Sequence, residues 1–170
     1  GYEMNLNDHH MSAGTLASNQ ELVFLNNGIV VKDVCEVLNS IKYKIVDSKG
    51  KDVTLNYDVT EDYGTLKITP RPITITSGSK EKVYDGYEMN LNDHHMSAGT
   101  LALNQELIFL NNGIVVKDVC EVLNSIEYKI VDIEENDVTS NYDVTEDYGT
   151  LKITQRTVTI TSGNKEKVYD

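Results

Sequence analysis

Hydrophobic and polar residues alternate with a period of two in several short stretches of the chain. In Ile41–Ile45 the odd positions are apolar or aromatic and the even positions are lysines. The same alternation occurs at residues 57–60, 66–69 and 73–76, and shorter apolar stretches begin at Leu22 and Ile29. A period of two places one face of a strand against a core and the other in water.

Turn-forming residues separate these stretches, at Gly14, Asn26–Gly28, Ser48–Gly50, Gly64 and Gly78. Short strands with a turn signal about every 8–12 residues are typical of a β-sandwich or barrel. Lys32–Ser40 also fits a short helix, because Val34, Val37 and Leu38 have helical spacing. We therefore predict an all-β fold, with a helix at 32–40 as the alternative for that stretch.

The chain consists of two nearly identical copies. Residues 1–85 and 86–170 align without a gap, and only twelve aligned positions differ. Four of the differences are contiguous, SKGK at 48–51 against IEEN at 133–136, as expected for an exposed turn. The repeat predicts two tandem β-sandwiches with a period of 85 residues, arranged as an elongated array.

The structural unit is predicted to be out of phase with the repeat. Pro70 and Pro72 interrupt an extended stretch, and proline ends a strand or confines it to an edge. We place the boundary there. Residues 1–71 are then a first repeat lacking its opening strand, 72–154 a complete second unit, and 155–170 the opening strand of a following unit.

In this frame the chain resembles a known family, the Ig-like tandem repeats of bacterial surface proteins called YDG or MBG domains. The matching elements are Arg71–Ile75, Lys82–Gly86, Gly99–Leu101 followed by a strand from Glu106, Asn141–Thr145 and Gly149–Ile153. The resemblance implies an Ig-like β-sandwich in an extracellular protein, at the cell surface or attached to the cell wall, whose repeats form a stalk. Cys35 and Cys120 stand where such repeats usually have glycine.

The charge and the length of the apolar runs argue against two functions, nucleic-acid binding and crossing a membrane. Lysine and arginine number 15 against 27 acidic residues, which gives a net charge of -12. This is the wrong sign for neutralising phosphates, so nucleic-acid binding is excluded. The apolar runs are also far shorter than the roughly 20 residues of a membrane-spanning helix.

Candidate chemical sites are few. Cys35 and Cys120 are expected to be unpaired apolar fillers, because equivalent points of adjacent sandwiches lie too far apart for a disulfide. His9, His10 and their copies His94 and His95 are expected in a solvated loop, with a weak Zn or Ni site as the alternative. The acidic loops are expected to be solvated, with Ca²⁺ binding as the alternative; they contain Asp58, Glu61, Asp62, Asp132, Glu134, Glu135 and Asp137.

No catalytic motif, cofactor site or metal site is predicted, so the chain is not expected to be an enzyme. The predicted function is a stalk or filament unit of a bacterial surface array. The alternative is an adhesin module that binds a host glycan or protein, with repetition supplying avidity.

The offset frame leads to a prediction of self-association. Residues 157–169 repeat the opening segment of the second unit and would complete residues 1–69 of another molecule by β-strand addition. The predicted strand-donating residues are Val158, Ile160, Val168 and Tyr169. The expected partner is therefore a neighbouring repeat of the same protein, joined head to tail.

Overall fold

The computed structural model describes residues 2–170 and confirms the all-β prediction. Sixteen strands and two 3-10 turns, Thr54–Asn56 and Thr139–Asn141, are its regular elements. The helical alternative for residues 32–40 is wrong, because Cys35–Leu38 is a strand. Within residues 2–170, no helix has the length and hydrophobicity needed to cross a membrane.

The chain divides into two compact units. The first contains residues 2–71 together with 102–104 and 138–143, and the second contains residues 72–101, 105–137 and 144–170.

The first unit contains three antiparallel strand pairs: β1 with β3, β2 with β5, and β4 with β6. These strands are β1 (Met4–Asn5), β2 (Gln20–Phe24), β3 (Val30–Val31), β4 (Cys35–Leu38), β5 (Tyr43–Asp47) and β6 (Thr65–Ile68). The alternation at residues 41–45 is realised in β5, where Ile45 is buried and pairs with Leu22 of β2.

The second unit repeats these pairs and adds four strands, in a β-sandwich-like arrangement. Its strands are β7 (Arg71–Ser77), β8 (Lys80–Val83), β9 (Met89–Asn90), β10 (His95–Gly99), β11 (Glu106–Phe109), β12 (Val115–Val116), β13 (Cys120–Leu123), β14 (Tyr128–Val131), β15 (Tyr142–Tyr148) and β16 (Thr150–Thr154). The first residue of β7 and the first two of β15 are assigned to the first unit. Two three-stranded sheets result, with the orders β10-β7-β15 and β13-β16-β8.

The core of the second unit is formed by side chains from opposite ends of its sequence. Met89 of β9 packs with Leu151 and Ile153 of β16, and Leu91, Ile114 and Val116 pack against this cluster. Ile73 and Ile75 of β7 are also buried. The second unit therefore closes around strands that are distant in sequence, and β7 is one of them.

Four strands of the second unit have no counterpart in residues 2–71. Two of them, β7 and β8, belong to the opening segment, defined here as residues 72–85, and β10 and β15 both pair with β7. The corresponding residues 10–14 and 57–63 have the same sequences as β10 and β15 but form no strand. Because a strand needs a partner for its backbone groups, these stretches become strands only where β7 lies between them.

Candidate functional site

The candidate site is the position that the opening segment occupies in the second unit. Its first strand, β7, is the central strand of the sheet β10-β7-β15, and its apolar residues face the core. Ile73 is 2% exposed and Ile75 is fully buried. Ile75 pairs with Met96 and Ile73 pairs with Gly99, with a bulge between Met96 and Ala98. The opening segment is thus an integral part of the sandwich.

The turn between β7 and β8 is held by polar residues of the rest of the unit. Asn124 is fully buried; its side chain donates hydrogen bonds to the Gly78 and Leu91 carbonyls, at 3.3 and 3.0 Å. Ser77 donates from its hydroxyl to the Asn124 carbonyl at 2.8 Å, and the Gly78 N–H donates to the Asp93 carboxylate at 3.0 Å. These bonds satisfy backbone groups that would otherwise be buried without partners.

Two glycines allow the opening segment to pass close to the neighbouring backbone. A Cβ on Gly149 would overlap the Gly78 carbonyl group, and a Cβ on Gly99 would overlap the Pro72 carbonyl oxygen. The Gly149 N–H donates to the Ser77 carbonyl at 3.1 Å. Only a residue without a side chain fits at these crossings.

The second strand of the opening segment, β8, lies parallel to β16 at a sheet edge. Lys80 pairs with Leu151, and the register continues to Val83 and Thr154. The Tyr84 N–H donates to the Thr154 carbonyl at 2.9 Å. Val83 is 52% exposed, so this strand contributes backbone pairing more than apolar burial.

The first unit has the same residues around an open site, which we define as residues 10–14, residues 57–63 and strand β6. Asp8, Asn39 and Gly64 correspond to Asp93, Asn124 and Gly149. Among the described residues, no heavy atom outside the immediate chain neighbours lies within 4 Å of a Cβ built on Gly14 or Gly64. The two crossings that are filled in the second unit are therefore open in the first.

The predicted strand-donating residues all lie in the tail segment, defined here as residues 157–170. This segment forms no strand, and every residue in it is exposed. Val158 is 77% exposed and Ile160 is 96% exposed, and Val168 and Tyr169 are also solvent-exposed. The apolar side chains of the tail segment are therefore in solvent and not in a core.

The expectation of solvated histidines is wrong for one histidine of each pair. His94 is buried, His9 is half-buried, and each Nε2 is 2.7 Å from an asparagine carbonyl oxygen, Asn124 and Asn39 respectively. His95 and His10 are exposed, as predicted. The two histidines of each pair are adjacent, and adjacent residues of an extended segment point to opposite faces.

The remaining polar candidates are the two cysteines and the acidic loops. Cys35 and Cys120 are free and half-buried. The Asp132 carboxylate accepts hydrogen bonds from the Glu134 and Asn136 N–H groups, which closes the loop after β14. Within the described part of the chain, no three His, Cys, Asp or Glu side chains are placed to hold a metal ion.

Two tyrosines next to these loops have a pKa well above the ordinary value of 10.0. The hydrogen bond from Tyr43 to Glu61, at 2.8 Å, is the main cause that raises the pKa of Tyr43 to about 12. Burial and then the hydrogen bond to Glu146 raise the pKa of Tyr128 to about 12. The acceptors are Glu61, one of the predicted Ca²⁺ candidates, and Glu146, its counterpart in the second copy.

Sequence reasoning did not identify the polar residues around the Ser77–Gly78 turn. The sequence feature that could have identified them is Asn124, a polar residue that lies between the apolar Leu123 and Ile126. The same arrangement occurs in the first copy, with Asn39 between Leu38 and Ile41. An amide in such a place is often buried and bonded to backbone groups.

No protein-family model matches the chain, and no curated protein or solved structure shows significant similarity to it. The resemblance to YDG or MBG repeats therefore remains a prediction.

Proposed function

We propose that this chain is a non-catalytic structural repeat of an extracellular bacterial surface array, acting as a stalk or filament unit. One observation carries the proposal. The segment that follows strand β6 of one repeat enters the next unit as its central strand β7, with only Thr69 and Pro70 between the two strands. Each repeat therefore supplies part of the fold of its successor.

This mode of joining suits an array better than a set of independent domains. A domain on a flexible linker folds from its own residues, whereas here the joint is itself part of the next sandwich. Ile73 and Ile75, which follow the joint directly, are in the core. Adding further copies would extend the same pattern without new interfaces.

The buried polar groups support a structural role. In the second unit Asn124, Ser77 and His94 are buried, and their hydrogen bonds join them to each other or to backbone carbonyl groups. These contacts hold the turn of the opening segment in place. The Asn124 amide and the Ser77 hydroxyl thus join the opening segment, which belongs to the first sequence copy, to residues of the second copy.

The array is tested with proteins that contain two, three and four copies of the 85-residue repeat. Small-angle scattering should show the maximum dimension growing by a constant increment for each added copy, with an unchanged cross-section. A maximum dimension that grows only as the cube root of mass would indicate a compact particle and contradict the proposal.

The extracellular location needs a separate test. Antibodies to the repeat should label intact cells of the source bacterium, and protease added outside the cells should remove the label. A cytoplasmic protein detected in the same cells serves as the control for lysis. Labelling only after permeabilisation would contradict the location.

A further inference from the structure

We propose that Asn27 and Asn112 are sites of slow covalent modification, at which each asparagine loses ammonia and becomes aspartate or isoaspartate. These are the two places in the sequence where glycine follows asparagine. Both side chains are exposed, in the loop between β2 and β3 and in the loop between β11 and β12. The inference goes beyond the proposed array and does not depend on it, because it concerns one loop within each unit.

The nucleophile of this reaction is the backbone nitrogen of the glycine. It bonds to the side-chain carbonyl carbon of the asparagine and closes a five-membered succinimide ring. Its proton passes through solvent to the side-chain nitrogen, which leaves as ammonia. Water then opens the ring: breaking the bond from the ring nitrogen to the side-chain carbon gives aspartate, and breaking its bond to the backbone carbon gives isoaspartate. Glycine favours ring closure because it has no Cβ and its backbone rotates freely.

The fold requires the glycine of each pair. Gly28 and Gly113 have φ angles of +83° and +81°, which glycine adopts without steric cost. A Cβ on Gly113 would also lie 2.7 Å from Cε1 of the buried His94. In the first unit a Cβ on Gly28 would lie 2.9 Å from Cε1 of His9. A larger residue would displace the histidine ring, so the reactive sequence is part of the structure.

Hydrogen bonds hold both ends of the peptide group that has to rotate. In the second unit the Asn90 side chain donates to the Asn112 carbonyl at 3.0 Å. At the other end of the same peptide group, the Gly113 N–H donates to Oδ1 of Asn111 at 3.0 Å. Ring closure needs this nitrogen to lose its proton and to contact the side-chain carbon, so its hydrogen bond must break first. The loop therefore reacts from an open state, and more slowly than an unfolded chain.

The hydrogen bond to the glycine N–H is weaker in the first unit. The Asn5 side chain donates to the Asn27 carbonyl at 2.8 Å, but the Gly28 N–H lies 3.3 Å from Oδ1 of Asn26. This is longer than the usual limit of about 3.2 Å for an N–H···O bond. The same Oδ1 also accepts from the Lys42 N–H, at 3.3 Å. We therefore expect Asn27 to react faster than Asn112.

Isoaspartate at position 112 would lengthen the backbone by one methylene group and add a negative charge. The loop leads into β12, where Val115 pairs with Asn90 of β9. A longer backbone cannot keep both the hydrogen bond from Asn90 and the close approach of Gly113 to His94. The modification should therefore loosen the pairing of β9 with β12.

Peptide mass spectrometry of the full chain tests the proposal. The protein is incubated for weeks at mildly alkaline pH, with and without urea, and electron-transfer fragmentation separates aspartate from isoaspartate. Residues 25–31 and 110–116 have identical sequences, so the two sites should convert at the same rate in urea. In the folded chain both should convert more slowly, with Asn27 ahead of Asn112.

Two changes at Asn111 test the hydrogen bond to the glycine N–H. Asn111→Ala removes the acceptor and should speed conversion of Asn112 by about two- to tenfold, as expected for the loss of one hydrogen bond. Asn111→Asp keeps an acceptor oxygen and should leave the rate near that of the unmodified chain. Asn112→Gln should abolish conversion at this position, because the longer side chain would have to close a six-membered ring. Conversion at Asn27 is the internal control in all three variants.

The consequence for the fold is measured on the converted protein. Hydrogen exchange at β9 and β12 should be faster in molecules that carry isoaspartate at position 112 than in unconverted molecules from the same sample. Unchanged exchange would show that the loop accommodates the longer backbone, and would overturn the proposed effect on the pairing.

Three results would overturn other parts of the inference. If neither asparagine converts in the folded chain while both convert in urea, the fold blocks the reaction and these are not modification sites. If the folded and urea rates are equal, the hydrogen bonds of the loop do not control the reaction. If Asn111→Ala and Asn111→Asp react at the same rate, the bond to the Gly113 N–H is not the one that matters. None of these results changes the expected growth of multi-copy proteins in scattering, so the array proposal is tested separately.

Discussion

At the scale of single residues, Asn124 and Asn39 can be compared directly, because they occupy the same position in the two copies of the repeat. The Asn124 amide donates to two carbonyl groups, Gly78 and Leu91, whereas the Asn39 amide donates to Leu6. A buried carbonyl that loses its donor costs about 1–3 kcal/mol. The second unit therefore depends on its asparagine more than the first unit does.

We expect Asn124→Ala to destabilise the second unit by about 2–4 kcal/mol and Asn39→Ala to destabilise the first by roughly half as much. Hydrogen exchange measured by mass spectrometry gives the opening free energy of each unit separately. Equal losses of opening free energy in the two units would show that the hydrogen bond from Asn124 to the Gly78 carbonyl contributes nothing to stability.

The two tyrosines with the largest pKa shifts predict an alkaline limit to stability. Both Tyr43 and Tyr128 have a pKa raised from the ordinary value of 10.0 to about 12. The folded state thus holds these protons more tightly than the unfolded state. Their contribution is fully present below pH 10 and is lost as the pH rises from 10 through 12.

Urea unfolding at a series of pH values should show this decline, and the double variant Tyr43→Phe with Tyr128→Phe should reduce it. Tyr169→Phe, which alters a fully exposed ring, is the control. A decline of the same steepness in the double variant would assign the alkaline limit to other groups.

At the scale of elements, the clearest comparison is between identical sequences with different structures. Residues 57–63 and 142–148 share one sequence, and so do residues 10–14 and 95–99. Only the copies in the second unit are strands, as β15 and β10. The strand state of these stretches is therefore decided by β7, which is distant in sequence, and not by their own residues.

This comparison also shows what the sequence alone could predict. The alternation predicted β5, β6 and β7, and it gave the burial of Ile45, Leu66, Ile73 and Ile75, because those patterns are local. It could not predict the parallel pairing of β8 with β16 or the glycine crossings at Gly99 and Gly149, because these depend on contacts between distant segments. The burial of His94 was missed for the same reason.

The central role of β7 is tested with equivalent changes in the opening and tail segments. Ile75→Ala should destabilise the second unit by about 2–5 kcal/mol, because it leaves a cavity at a fully buried site. Ile160→Ala should change monomer stability by less than about 0.5 kcal/mol, because that side chain is exposed.

Hydrogen exchange at β10 and β15 should accelerate in Ile75→Ala and stay unchanged in Ile160→Ala. Unchanged exchange in Ile75→Ala would mean that β10 and β15 form without β7.

At the scale of the whole molecule, the proposed stalk function requires resistance to tension along the chain. Force on the second unit enters near Arg71 and leaves near Thr154, so it loads the parallel pairing of β8 with β16. Because the two strands run parallel and are pulled from opposite ends, their hydrogen bonds are loaded in shear and must break together. We expect the second unit to unfold at a high force in a single step.

Proline substitutions in β8 test this geometry. The Tyr84 N–H donates to Thr154 of β16, and N–H groups two residues apart along a strand point the same way. Lys82→Pro therefore removes a donor that faces β16, whereas Glu81→Pro removes one that faces outward at the sheet edge, where proline is tolerated. In single-molecule stretching of the full chain, Lys82→Pro should lower the unfolding force of the second unit far more than Glu81→Pro. If both variants unfold at the force of the unmodified chain, the β8–β16 pairing does not bear the load, and the resistance of the unit must arise from β7 and its two neighbours.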